Sequence, residues 1–166
     1  MTIQSKKVCL LGDLAVGKTS AVIRAVRNTF SKAYRTTVGA KVESNMAAFD
    51  SQPVRLVLWD IAGGRALDPV RTSYMLGASG LLIVADGTRE NTVSTALELG
   101  EQASRLLGRD LPRVLALNKS DLADEWEVSP SRLRELQERL PVFSVSAKTG
   151  EGVHEAFYAL WKAMPS

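Results

Sequence analysis

Residues Gly12, Asp13, Leu14, Ala15, Val16, Gly17, Lys18 and Thr19 spell the pattern G-x-x-x-x-G-K-S/T, and Ser20 follows directly. Residue types at this spacing suit the holding of phosphate groups. The glycines let the backbone wrap so that successive N–H groups converge on phosphate oxygens. Lys18 supplies a point charge to the β- and γ-phosphates, and the Thr19 hydroxyl is a hard oxygen ligand suited to Mg²⁺. The plain alternative is an ordinary glycine-bearing turn between a strand and a helix. The apolar run before the motif and the helical stretch after it favour the phosphate site, because the helix N-terminus adds partial positive charge.

A second constellation fits a purine base. "NKSD", from Asn118 to Asp121, follows an apolar run. A single carboxylate, Asp121, can accept both the N1–H and the N2–H₂ donors of guanine. Adenine would leave it unpaired, so discrimination is expected to be large. Asn118 can brace the loop and reach the base edge, and the Lys119 stem can cover the base face. "SAK" (Ser146, Ala147, Lys148) follows the last apolar run and supplies a second wall. Either motif alone is usually just a turn. Behind a phosphate loop, in this order, they specify a guanine nucleotide.

The elements that must position these groups alternate along the chain. Apolar runs predict strands at 7–11, 40–49, 54–60, 81–86, 114–118 and 142–145, with "DSQP" as a hairpin turn between the second and third. Helices are expected at 19–27, 92–107, 131–139 and 153–163. The second of these carries an apolar stripe of Ala96, Leu99, Ala103, Leu106 and Leu107, and Ser129-Pro130 forms an N-cap and first-turn pair for the third. Alternating strands and helices imply an α/β fold, a mainly parallel sheet with one antiparallel edge strand and helices on both faces. Ligands of such sheets bind beyond the carboxyl ends of the strands, where every motif above lies.

Composition narrows the function classes. The chain has 166 residues, 45% hydrophobic and 23% charged, ordinary values for one globular domain spanning 1–166. A net charge of +3 without a Lys/Arg block or a basic stripe interleaved with aromatics argues against nucleic acid as a partner. No apolar run approaches the roughly 20 residues of a membrane helix, and "VCLL" is too short for a signal-peptide core. Thr2 excludes N-myristoylation and "AMPS" offers no prenylation cysteine. The expectation is a cytoplasmic chain with no direct membrane anchor. Cys9, the single cysteine, lies in an apolar strand and is expected to be a buried thiol.

Over nearly its whole length the chain resembles the small GTPases of the Ras superfamily, nearest the Rab-like branch. The resemblance rests on Gly12–Thr19, Thr37, Asp60–Gly63, Asn118–Asp121 and Ser146–Lys148. It implies the P-loop NTPase fold of that family, with a six-stranded mixed sheet and five helices, and GTP or GDP with Mg²⁺ as ligands. By the same resemblance Phe30 would stack edge-on against guanine, Tyr34 would lie over the phosphates, and the Ala147 N–H would bond the guanine carbonyl. Thr19, Thr37 and Asp60 would hold Mg²⁺. Thr37 and the Gly63 N–H would sense the γ-phosphate, whose loss frees both loops in an order–disorder switch.

In "WDIAGGRAL" the pattern departs from the family. Gly64 stands where a glutamine ordinarily orients the attacking water. Leu14 stands where many members have glycine. Both point to slow GTP hydrolysis that needs a partner, with Lys18, Thr37 and Gly63 as the remaining catalytic groups. Arg35 and Arg65 are the candidates for a cationic substitute supplied in cis. A non-hydrolysing, nucleotide-bound interaction module and the G domain of a larger regulatory protein stay open as alternatives. Effectors, activating proteins and exchange proteins are expected on the segments Tyr34 to Val42 and Asp60 to Leu76. There Val42, Trp59 and Tyr74 match an apolar effector-facing patch, although Trp59 equally fits a core position. Lys32, Arg35, Lys41, Arg65 and Arg71 make this neighbourhood basic, which suits an acidic partner surface. His154 is expected on a surface or in helix packing.

Overall fold

The computed structural model describes residues 3–27 and 38–165. The chain runs β1 (Gln4–Leu11), α1 (Lys18–Arg27), β2 (Ala40–Phe49), β3 (Gln52–Ile61), α2 (Pro69–Tyr74), β4 (Gly80–Asp86), α3 (Asn91–Leu107), β5 (Arg113–Asn118), α4 (Pro130–Gln137), β6 (Val142–Ser144) and α5 (Val153–Ala163). A short 3₁₀ turn, Ala123–Glu125, lies between β5 and α4. Among the described residues the strands form one six-stranded sheet in the order β2-β3-β1-β4-β5-β6. Every pair is parallel except β2 with β3, which is antiparallel and puts β2 at an edge.

The alternation of side chains along the strands divides the core between two faces. Val8 and Leu10 of β1 join Leu56, Leu58, Val84, Phe157 and Leu160 under α1 and α5. Their neighbours Cys9 and Leu11 join Ile61, Leu81, Ile83, Val93 and Leu115 under α2, α3 and α4. β4 lies at the centre and all seven of its residues are buried. Burying one such aliphatic side chain is worth about 1.5–3 kcal/mol, so the middle strands carry much of the stability. Cys9 is fully buried, and burial pushes its thiol up to about 12.

Several boundaries differ from the sequence expectation. β1 begins at Gln4 rather than residue 7, because its polar first half is exposed and carries no apolar signal. The hairpin turn is tight: Asp50 and Ser51 both have left-handed backbones (φ 50° and 63°), as a two-residue turn between antiparallel strands requires. Pro53 therefore enters β3, where it costs no ladder bond to β1, whose first partner is Val54. α2 has no apolar stripe and buries none of its residues, so periodicity misses it. Its start is set by Asp68-Pro69: Asp68 accepts a hydrogen bond from the Arg71 N–H at 2.7 Å, and proline occupies the first turn. In the α3 stripe Leu106 points outward, 52% exposed.

Candidate nucleotide site

The loops leaving the carboxyl ends of β1, β3, β4, β5 and β6 meet at one edge of the sheet, and the motif residues come together there. Phe30, Tyr34, Arg35 and Thr37 lie outside the described residues, as does Lys32. The loop after β1 is shaped by close approaches that only glycine allows. A β-carbon on Gly12 would lie 2.4 Å from the Val84 carbonyl oxygen, and one on Gly17 (φ 99°) 2.2 Å from Asn118 Nδ2. Ala15 is left-handed at φ 60°. The Asp13 carboxylate folds back to accept the Leu14 N–H at 2.7 Å. Leu14 itself projects outward, 52% exposed. Val16 is buried, and Ser20 sits half-buried in the first turn of α1.

Lys18 is buried inside this loop, its Nζ donating over long distances to the carbonyls of Gly12 (3.4 Å) and Asp13 (3.3 Å). Burial lowers its pKa, and the Arg71 charge adds to that lowering against the opposing pull of Asp60 and Asp13. A buried cation on two neutral carbonyls is under-compensated, a condition that a bound polyanion would relieve. Beside it the Thr19 hydroxyl donates to Asp60 Oδ2 at 2.5 Å, and Asp60 is 1% exposed at the end of β3. One hydroxyl and one buried carboxylate are hard oxygen donors, a set that fits Mg²⁺.

The loop after β3 docks back onto the first. Gly64 N–H donates to Gly12 O at 3.2 Å. A β-carbon on Gly63 would press to 2.9 Å from Asp13 O and 3.0 Å from Lys18 Nζ, so that glycine lets the two loops close over the lysine. Arg65 Nε lies 3.8 Å from Asp13 Oδ2 on a side chain 79% exposed. Arg71 is held more firmly. Its Nε donates to Ala62 O (3.1 Å), Nη2 to Gly63 O (3.2 Å) and Nη1 to Asp68 Oδ2 (2.9 Å). In the sequence Arg71 stands out only as one of several basic residues near this loop. No local pattern shows that a helix seven residues beyond Gly64 returns its guanidinium to that glycine.

At the other end Asn118 is 3% exposed and ties three segments together. Its Nδ2 donates to Val16 O at 3.0 Å, and its Oδ1 accepts the Ala147 N–H at 3.0 Å. The Ala147 N–H, which the resemblance assigns to the guanine carbonyl, is thus donated to Asn118 in this structure. Ser146 Oγ donates to Asp121 Oδ1 at 2.7 Å, fixing the carboxylate from behind. Lys119 Nζ donates to Ala15 O at 3.1 Å and pairs with Asp86 Oδ2 at 2.9 Å. Lys148 is exposed. Arg24 of α1 holds the same loop from below, donating to the carbonyls of Ala147 (Nε, 2.9 Å) and Lys148. Neither Arg24 nor Asp86 belongs to a motif, and their roles appear only in three dimensions.

The proposed effector patch is contiguous among the described residues. Val42 faces Trp59 across the β2–β3 ladder, and the Trp59 and Tyr74 rings are 6.1 Å apart. Trp59 is half-buried against the α2/α3/α4 face of the core, with Lys7 Nζ 3.9 Å over its ring, so it has both core and surface contacts. The basic residues here face acids: Lys41 lies 3.4 Å from Glu43, Arg65 3.8 Å from Asp13 and Arg71 2.9 Å from Asp68. The neighbourhood is therefore less positive than its lysines and arginines alone suggest. His154 packs against Phe49 at a ring separation of 5.4 Å. No helix among the described residues is long and apolar enough to cross a membrane.

Comparison with known proteins agrees with this arrangement. The Ras family model matches residues 7–166. The chain is 31% identical to the GTP-binding protein YPT53 of Saccharomyces cerevisiae, over 96% of this chain and 76% of the yeast protein. It is 31% identical to the Ras-related protein Rab5 of Nicotiana tabacum (96% and 80% covered) and 32% identical to the Ras-related protein RHN1 of Nicotiana plumbaginifolia (96% and 80%). With its phosphate loop, its guanine-type loops and this sheet order, the chain belongs to the Ras family of small GTPases, in its Rab-like part.

Proposed function

We propose that the chain, as a single G domain over residues 1–166, is a guanine-nucleotide switch that hydrolyses GTP slowly and depends on a partner for efficient turnover. The observation that carries this reading is Gly64, which has no side chain to orient water, with the Arg71 guanidinium occupying the adjacent space. In this reading Gly12 to Ser20 wrap the phosphates, and Lys18 neutralises them from its buried position. Asn118, Lys119, Asp121, Ser146, Ala147 and Lys148 enclose guanine, with Phe30 and Tyr34 closing over the nucleotide. Thr19, Asp60 and Thr37 would hold Mg²⁺, which would supply neutralisation of the phosphate charge. Gly63 reports the γ-phosphate through its N–H, and Thr37 does so from the other loop. Effector, activating and exchange proteins would meet the segments 34–42 and 60–76, the surfaces that this change remodels.

Of the two arginine candidates, Arg35 lies outside the described residues, and Arg65 is exposed and loosely paired, which suits a residue free to swing towards the phosphates. Arg71, which is not a candidate, is committed to backbone carbonyls. A non-hydrolysing module is the second reading, favoured by Gly64 together with the exposed bulk of Leu14 beside the phosphate loop.

Titration with fluorescent GTP, GDP and ATP, with and without Mg²⁺, tests the nucleotide assignment. Guanine nucleotides are expected to bind at least about a thousandfold tighter than ATP, and tighter with Mg²⁺ than in EDTA. Equal affinity for ATP and GTP would overturn the guanine reading.

A further inference from the structure

Asp86, at the end of β4, belongs to none of the nucleotide motifs, yet its carboxylate is nearly sealed from solvent. Its Oδ1 accepts the Thr88 N–H at 2.9 Å and the Thr88 hydroxyl at 2.6 Å. Its Oδ2 lies 3.0 Å from Arg89 Nε and 2.9 Å from Lys119 Nζ. Each of those cations then reaches the phosphate loop. Arg89 Nη2 donates to Leu14 O at 2.9 Å, and Lys119 Nζ donates to Ala15 O at 3.1 Å. Two consecutive carbonyls of that loop are thus held by two cations anchored on one buried carboxylate.

The residue between those carbonyls explains what the clamp is for. Ala15 is left-handed at φ 60°, a conformation that a residue with a β-carbon adopts at a cost and that persists when its surroundings enforce it. Fixing the carbonyls on both sides of its N–Cα–C unit leaves the loop little freedom to relax to an extended form. The planar fork of Arg89 suits this task, because Nε can bond the carboxylate while Nη2 bonds the carbonyl.

We propose that Asp86 and Arg89 are positioning residues of the nucleotide site, which lock Ala15 in its left-handed bend and so hold the loop amides in the arrangement that retains bound nucleotide. This rests on the reading of residues 12–19 as the phosphate loop. Lys119 sits in the guanine motif and forms one arm of the clamp; Arg89 is a second arm outside every motif.

The test is the dissociation rate of fluorescent GDP, chased with excess unlabelled GDP in Mg²⁺, for wild type, Arg89→Ala and the double variant Arg89→Ala/Ala15→Gly. The Arg89 side chain is 40% exposed, so its truncation leaves the core intact, and circular dichroism checks this. Arg89→Ala is expected to release GDP about tenfold faster, the factor that one charged hydrogen bond is worth. The added glycine, which takes positive φ freely, should recover at least half of that loss on a logarithmic scale. A role confined to general stability would not respond to a glycine at residue 15. Release at the wild-type rate from Arg89→Ala, or no recovery in the double variant, would overturn the clamp. A wild type that binds no guanine nucleotide would instead overturn the reading on which the clamp rests.

Discussion

The guanidinium of Arg71 lies against the backbone of Gly64: a β-carbon on that glycine would sit 3.6 Å from Nη2 and 3.8 Å from Nη1. Those are ordinary contact distances, and Gly64 is not among the residues with positive φ. A side chain is therefore tolerated at residue 64, and the glycine is not required by the fold. This contrasts with Gly63, where a β-carbon would crowd Asp13 O and Lys18 Nζ.

Gly64→Gln is accordingly expected to fold normally and to hydrolyse bound GTP about tenfold or more faster than wild type, because a water-orienting amide is restored. Single-turnover assays check this. An unchanged rate would mean that water orientation is not what limits the reaction.

Lys18→Met separates stability from function. With the Lys18 pKa lowered by burial, the unfolded chain binds more protons than the folded one between that lowered value and 10.5. Stability of wild type therefore rises with pH through that window. The methionine variant, stripped of nucleotide, should be more stable to urea at neutral pH and lack that alkaline rise. Its affinity for GTP should fall by about a hundredfold, as expected for loss of a buried charged contact. A variant less stable than wild type in the stripped state would contradict the account of Lys18.

Asp121→Ala removes the carboxylate that Ser146 braces at 2.7 Å. The ratio of GTP to ATP affinity should fall by at least about a hundredfold, since the discriminating acceptor is gone. Retention of the wild-type ratio in competition binding would move base recognition elsewhere.

Asp86 gives a pH signature. Burial alone would raise its pKa, but hydrogen bonds from Thr88, Lys119 and Arg89 outweigh that and lower it below 3.8. Its contribution to stability is therefore fully present above 3.8 and is lost as pH falls through the lower folded value. Urea unfolding from pH 6 down to about 2.5 should show a shallower acid decline for Asp86→Asn than for wild type. Parallel declines would contradict the ion-paired state of this carboxylate.

What was legible in the sequence follows from the range of each interaction. The phosphate loop and guanine motifs are local patterns of glycine, charge and hydroxyl, and the central strands are apolar runs that only a sheet buried on both faces explains. The mainly parallel sheet and its antiparallel edge strand followed from the alternation of elements and the short 50–53 turn, whereas the strand order β2-β3-β1-β4-β5-β6 has no local signature. Other features have no local signature. Arg24 braces the carbonyl of Ala147 from 123 residues away, and Arg89 reaches Leu14 across 75. Asp86 looks like any acid at a strand end, and α2 buries none of its residues. These contacts arise only when the strand ends converge.

The most direct measurement is a single-turnover time course of protein loaded with GTP and Mg²⁺, without partners, with bound nucleotide separated chromatographically. With no side chain at residue 64 to orient water, GTP is expected to be retained and to convert to GDP more slowly than about 10⁻⁴ s⁻¹, below the roughly 4 × 10⁻⁴ s⁻¹ of a small GTPase that has the glutamine. Conversion at about 10⁻³ s⁻¹ or faster without a partner would contradict this, because the chain would then position the water itself.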